Sequence, residues 1–249
     1  MLDYQQTTGC RMVFLRSQLD DPGLQPGERC GRCDNCTGRH DDGQVDAAAA
    51  EDTRQRLMRP GVEITPRKQW PSGLSKLGVA LSGKITDGPA AGRVIGRLTD
   101  LGWGARLRQL LDEPDGEVPD DVVRAAVSVL AAWDWETRPV AVLALDSQLH
   151  RLLISSLARR LAELGRMTDL GTLEYHPQRR AVAAANSAYR VAALDGSWSA
   201  PATAVSAVAG PVLLVDDLTD TGWTLTMAAR VLRQAGVPEV LPFAIAAVN

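Results

Sequence analysis

Beyond Cys36 this 249-residue sequence contains no cysteine, so 213 consecutive residues can form neither a disulfide nor a thiolate metal site. No run approaches the roughly 18 apolar residues of a membrane-spanning helix, and no membrane association is expected. The opening MLDYQQTTGCRMVFLRSQLDD lacks the apolar core of a secretory signal, which argues against an oxidising compartment. A G-x-x-x-x-G-K-[ST] phosphate loop is also missing, so these residues cannot hydrolyse ATP as a phosphate-loop motor does.

What cysteine there is lies in one 27-residue stretch, Cys10, Cys30, Cys33 and Cys36, spaced C-x19-C-x2-C-x2-C. Two successive two-residue gaps let neighbouring thiolates converge on a tetrahedral ion with bonds of about 2.3 Å, so zinc is the expected occupant. An iron–sulfur cluster, which also uses four thiolates, is one alternative, and free or disulfide-bonded thiols are another. Haem attachment is not expected, because no His directly follows an x2 pair and His40 lies four residues past Cys36. Met12, Leu15 and Leu19 recur at helical spacing, and Asp20-Asp21-Pro22-Gly23 breaks that helix. The chain then returns through DPGLQPGE to deliver Cys30, with Gly31 and Asp34-Asn35 suited to the turns between ligands.

The net charge of −3 hides an asymmetry. Residues 54–110 carry eleven Lys/Arg against Glu63, Asp87 and Asp100, an excess of eight positive charges balanced by eleven negative ones elsewhere. Such a division points to a polyanion partner. The DNA-contact candidates are Arg67, Lys68, Trp70, Lys76, Lys84, Arg93 and Arg97, with Trp70 or Trp103 available to stack on bases or wedge a duplex end. The competing reading makes the tryptophans core and the charges a solvated face.

Four regions are expected: a cysteine-bearing subdomain at 1–38, a polar acidic linker at 39–53 that turns helical over its Ala run, a basic α+β middle at 54–137, and an α/β domain at 138–249. In the middle, VEITPRKQWPSG predicts a short strand and KLGVALSGKI a second strand or hairpin. GRVIGRLTDLGWGARLRQLL predicts helix, turn, helix, and VPDDVVRAAVSVLAAWDW a helix with Val122, Ala126, Val129 and Leu130 on its apolar face. From Arg138 onward strands alternate with helices: PVAVLALDS, LHRLLISSLARRLAELG, GTLEY, QRRAVAAANSAYRVAAL, PVLLVDD, TLTMAARVLRQAG and VLPFAIAAV. This pattern predicts an open α/β sheet covered on both faces.

In VLLVDDLTDTGWT an apolar strand ends in Asp216 and Asp217, and a Thr/Gly loop then opens a helix. Two carboxylates at the carboxyl end of a parallel strand can accept hydrogen bonds from a vicinal diol such as ribose. The loop Thr219, Thr221, Gly222 and Thr224, with the helix N-terminus, can cradle a phosphate.

The run YQQTTGCRMVFLRSQLDD…CGRCDNC, over residues 1–38, resembles the zinc-binding subdomain that follows the motor in RecQ-family DNA helicases, including Arg11 directly after the first cysteine. The resemblance implies the C-terminal part of a 3′-to-5′ unwinding machine acting in DNA repair and recombination, cytoplasmic and nucleoid-associated. ATP would serve only the motor that this sequence lacks, and the basic middle would be a divergent winged-helix counterpart.

Residues 212–224 resemble the phosphoribosyl-pyrophosphate signature of type I phosphoribosyltransferases, and 138–248 look most like the ComF-like branch, with Arg180, Asn186 and Tyr189 echoing its R…N…aromatic segment. RecQ-like helicases of actinobacteria that carry such a C-terminal domain are the group most similar to the whole. This implies a type I open parallel sheet, phosphoribosyl pyrophosphate or a nucleotide as ligand, and Mg²⁺ arriving with it. Asp220 stands where hypoxanthine-guanine phosphoribosyltransferases place a proton acceptor near the purine N7, which makes it a candidate general base; a solvated helix-cap residue is the alternative. The loop Asp146-Ser147-Gln148 lacks the basic-Gly pair expected for pyrophosphate, and Arg179 and Arg180 are the candidates for a basic hood. A ligand-binding relic or nucleotide sensor therefore stands beside an active transferase.

Overall fold

The computed structural model describes residues 2–39, 45–176, 186–200, 205 and 208–248. It separates into two compact units, 1–53 and 54–249.

In the first unit three short helices surround the cysteines: α1 (Leu2–Gln6), α2 (Arg11–Gln18) and α3 (Asp34–Thr37). Cys10 is the N-cap of α2 and Cys33 that of α3, so two ligands sit where each helix begins. Arg11 ties the pieces together: its Nε donates to both Asp34 oxygens at 2.7 and 2.9 Å, and its guanidinium donates to the Tyr4 carbonyl at 2.7 Å. The Asn35 amide reaches back to the Thr7 and Gly9 carbonyls at 2.7 and 2.8 Å. Among the described residues of this unit only Cys10 is buried. Among the described residues no hydrophobic core holds this unit.

The linker turns helical as expected over its alanines, in α4 (Ala47–Leu57). The second unit is built on a seven-stranded sheet: β1 (Val62–Ile64), β2 (Gly92–Arg97), β3 (Ala141–Leu145), β4 (Thr168–Tyr175), β5 (Trp198–Ser199), β6 (Val212–Thr219) and β7 (Val240–Ala247). Their order is β1-β2-β7-β6-β3-β4-β5, with the five central strands parallel and the two edge strands antiparallel. The sheet is therefore mixed.

Alternation along each strand divides the core. Val142 and Ala144 of β3 and Leu213 and Val215 of β6 pack under α5 (Gly104–Asp112), α6 (Asp120–Ala132) and α7 (Arg151–Gly165). Leu143, Leu145, Val212 and Leu214 pack on the other face under α8 (Ser187–Leu194) and α9 (Trp223–Gln234). Both faces of these strands are covered, which explains their continuous apolar runs.

Three local expectations change. Residues 92–97 form the strand β2, not a helix, because the edge of β7 is open to them and Val94 pairs with Ala244. The basic middle thus supplies β1, β2, α5 and α6 to the same sheet as 138–249 and does not pack by itself. KLGVALSGKI forms no named strand: a 3₁₀ turn over Leu74–Leu77 precedes a loop that buries Val79 in the core and pairs back antiparallel at an isolated bridge, Gln69 to Lys84. Finally, β6 does not stop at the acidic pair but runs to Thr219, where it still pairs with Ala247 of β7. The first half of the helix expected over 178–194 lies outside the described residues.

One glycine is dictated by a close approach. A Cβ on Gly102 would lie 2.0 Å from the Leu57 carbonyl oxygen, where the end of α4 crosses the turn that leads into α5.

Candidate functional site

The Sγ atoms of Cys10, Cys30, Cys33 and Cys36 all lie within 4.8 Å of one another, and those of Cys30 and Cys36 are 3.9 Å apart. Four sulfurs bound to one tetrahedral zinc at about 2.3 Å stand ~3.8 Å from each other, so the donor set fits the ion. Backbone amides prepare the thiolates. The Cys30 amide donates to Cys10 Sγ at 3.3 Å and, with the Val13 amide, lowers that thiol to about 6. Cys36 moves the other way, to about 11: the Gly31 amide lowers it, but desolvation and the neighbouring sulfurs outweigh that pull. A divalent ion binds thiolates and displaces whatever protons the thiols hold. All four tetrahedral positions would be filled by protein, which is the arrangement of a structural site.

The second site lies at the carboxyl ends of the parallel strands. After β3 the chain crosses through α7 on one face to β4, and after β6 it crosses through α9 on the other face to β7. The sheet's direction of growth reverses between β3 and β6, and such a switch point opens a crevice. Pairing of β3 with β6 ends at Ala144 and Val215, so Asp216 and Asp217 follow directly after the last paired residue of β6, at the end of β3. They line a cleft of about 350 Å³ with Asp146, Ser147, Gln148, Tyr175, Trp198 and Thr224 among its walls. Tyr175 and Trp198 meet there with ring centroids 4.8 Å apart.

The acidic pair is asymmetric. Asp217 accepts three hydrogen bonds: from Ser147 Oγ at 2.7 Å, from the His150 ring at 2.7 Å, and from the Leu218 amide at 2.7 Å. Asp216 is buried, and its Oδ1 accepts from the Asp217 amide at 2.9 Å. Burial first, and the Asp217 charge second, push the Asp216 carboxyl well above the usual carboxylate range. Asp217 is thus engaged by three donors, while burial favours the neutral form of Asp216.

This asymmetry has a stability signature. An unfolded Asp titrates near ~3.9, and the folded Asp216 titrates higher. The folded chain binds the extra proton between those values. The stabilisation is complete below the unfolded value and is lost as pH rises through the folded one. Asp216→Asn, which cannot ionise, is expected to lose less stability than the native chain as pH rises above the unfolded value, read in urea titrations. Identical slopes for the two proteins would show that Asp216 holds no such proton.

The Thr219–Thr224 loop turns at Gly222, whose φ of +74° suits glycine and starts α9. No side chain caps α9, so its first-turn amides keep no side-chain acceptor. Two cations flank the loop. Arg67 donates from Nε to the Thr221 carbonyl at 2.7 Å and lies over the Trp223 ring at 5.3 Å. Arg190 of α8 donates to Asp220 Oδ2 at 2.9 Å and to Thr221 Oγ1 at 3.3 Å. Asp220, the expected general base, is exposed and engaged by Arg190. Thr219 is buried within β6. Asn186 caps α8 through the Ala188 and Tyr189 amides, while Arg179 and Arg180 lie outside the described residues.

The residues expected to contact DNA divide. Arg67, Lys68 and Lys84 are exposed along one groove of about 520 Å³, and Lys76 is exposed on the 3₁₀ turn. Arg93 is bound to Glu63 at 3.2 Å and lies over Trp133, and Arg97 is half-buried. Trp70 offers no face to a base: it is buried, and its ring stacks on Trp223 with centroids 6.0 Å apart. Trp103 is half-buried, with its indole N–H donated to the Met58 carbonyl.

Sequence reasoning missed His150 and Arg190. Neither belongs to a local motif; a buried His 67 residues from its partner leaves no pattern to read. No helix among the described residues is long and apolar enough to cross a membrane. No family model matches the chain, and no curated protein matches it significantly.

Proposed function

We propose that the 54–249 unit binds a phosphorylated ribose, with phosphoribosyl pyrophosphate as the type ligand, and that the chain is an accessory C-terminal region of a RecQ-like DNA helicase whose cysteine site is structural. The observation that carries the ligand reading is the meeting, at one switch point, of an acidic pair with a glycine-turned loop flanked by Arg67 and Arg190. The pair suits a vicinal diol, and the loop amides with two guanidiniums suit a phosphate. A type I phosphoribosyltransferase-like sheet is the corresponding fold. The helicase reading rests on the resemblance of residues 1–38.

Binding without turnover is the favoured form. The loop after β3, where pyrophosphate would leave, is already committed: Asp146 is paired with Arg151 at 2.9 Å, and Ser147 with Asp217. It offers an acid where a departing polyanion needs a cation. Calorimetric titration with phosphoribosyl pyrophosphate and Mg²⁺ is expected to give saturable heat, with no nucleotide formed across a panel of bases. The absence of heat at millimolar ligand would overturn the binding reading, and turnover would convert the sensor into a transferase.

The exposed Arg67–Lys68–Lys84 groove favours DNA contact as a second property of the same unit. Affinity for a partial duplex is expected to fall steeply with salt, and each lysine replaced should reduce the log–log slope by about 1. An affinity that stays flat from low to physiological salt would refute phosphate contact.

A further inference from the structure

We propose that His150 is the positioning residue of the acidic pair: bonded at both ring nitrogens, it locks Asp217 against the loop after β3 and so sets which carboxylate oxygens face a ribose diol. The identity of the ligand rests on the sugar-phosphate reading above; the lock itself does not.

His150 is 8% exposed and sits at the N-cap of α7. Its Nε2 lies 3.0 Å from the Leu111 carbonyl oxygen. A carbonyl only accepts, so Nε2 carries hydrogen. Leu111 belongs to the last turn of α5, where carbonyls have no partner within the helix and the helix dipole is negative. The opposite nitrogen, Nδ1, lies 2.7 Å from Asp217 Oδ2. Both nitrogens therefore face oxygen atoms of other elements.

Ser147 completes the lock. Its hydroxyl donates to the same Asp217 oxygen and accepts the His150 and Leu149 amides at 3.0 and 3.3 Å. The turn Ser147–His150 is thereby closed onto β6, and the Leu218 amide holds the other oxygen of Asp217. Three elements, α5, the β3 loop and β6, meet at one side chain. Asp217 cannot swing toward a ligand without breaking these bonds, so the orientation seen here is the one a ligand meets. The neighbouring charged pair, Asp146 with Arg151, lies on the same turn and is satisfied internally. A core histidine with no task would need one acceptor; this one spans two elements to reach a carboxylate in the cleft.

The test uses the full chain and three variants. His150→Asn keeps a donor near the Nδ1 position, His150→Gln keeps one near Nε2, and His150→Phe keeps neither. Nitrogen-15 spectra of the native ring are expected to show slowly exchanging protons on both nitrogens, with the Nδ1 proton lost in Asp217→Asn. A bare Nδ1 in the native chain overturns the lock. Phosphoribosyl pyrophosphate with Mg²⁺ is expected to bind about 10- to 100-fold more weakly to His150→Phe and His150→Gln. His150→Asn should recover most of that affinity, while inorganic phosphate, which probes the α9 loop alone, binds all forms equally. Native affinity in a folded His150→Phe, or equal losses in all three variants, would refute positioning. If the native chain fails to bind the sugar phosphate, the ligand reading falls and the ring spectrum alone decides the lock.

Discussion

Chelation of a metal held by the cysteine cluster, or replacing Cys30 with Ser, is expected to unfold residues 2–37 while the sheet unit keeps its own melting transition. The reason is that the described residues of this unit offer no other large source of stability. Helices α1, α2 and α3 have five, eight and four residues, far below the ~12–15 at which isolated helices become even marginal in water. Cys10 is the one buried described residue of its unit. The ion pair of Arg11 with Asp34 is a quarter to a third exposed, and pairs of that kind contribute about 0–1 kcal/mol. A structural zinc supplies an apparent ~10–16 kcal/mol near neutral pH, which exceeds everything else in the unit. Limited proteolysis and circular dichroism before and after chelation, with zinc add-back and metal analysis showing one ion per chain, check this. A protease-resistant 2–37 segment in the stripped protein would show that the cluster is dispensable.

Asp217→Ala is expected to damage binding and stability together. Removing the carboxylate leaves the His150 ring, the Ser147 hydroxyl and the Leu218 amide without their acceptor, two of them in a largely buried setting. Orphaned buried donors cost about 1–3 kcal/mol each. Some of this is recovered by water entering the cleft, so a fall of roughly 3 kcal/mol, or about 6–12 °C in melting temperature, is expected. Affinity for phosphoribosyl pyrophosphate should fall by about 100-fold. The adjacent Asp216→Asn should behave oppositely in stability, since it removes a buried acid that resists ionisation. Calorimetry on the two variants side by side separates the roles, and equal stability losses would contradict the asymmetry of the pair.

The contrast between those two aspartates marks how far local reading extends. Both stand in one strand-and-loop pattern, so sequence spacing identifies them as a pair. Spacing cannot say that one is buried and the other locked by donors, because the lock comes from Ser147, His150 and Leu111 on distant segments. The basic stretch teaches a similar lesson. Gly92–Arg97 carries Val94 and Ile95 with Leu98 at helix-like spacing, and only the open edge of β7 makes it a strand. Trp70 looks available for stacking until Trp223, far along the chain, covers it.

By itself the sequence determined the four-thiolate site, the alternation of strands and helices after residue 138, and the acidic pair with its glycine-turned loop. Each of these depends on residues close enough in the chain for spacing to set geometry. Tertiary structure alone decided that the basic segment joins the sheet, that Arg67 and Arg190 flank the loop, and that His150 holds Asp217. Those outcomes depend on which strand edge lies open and which buried donor finds an acceptor. Both are settled by packing between segments that the linear pattern does not relate.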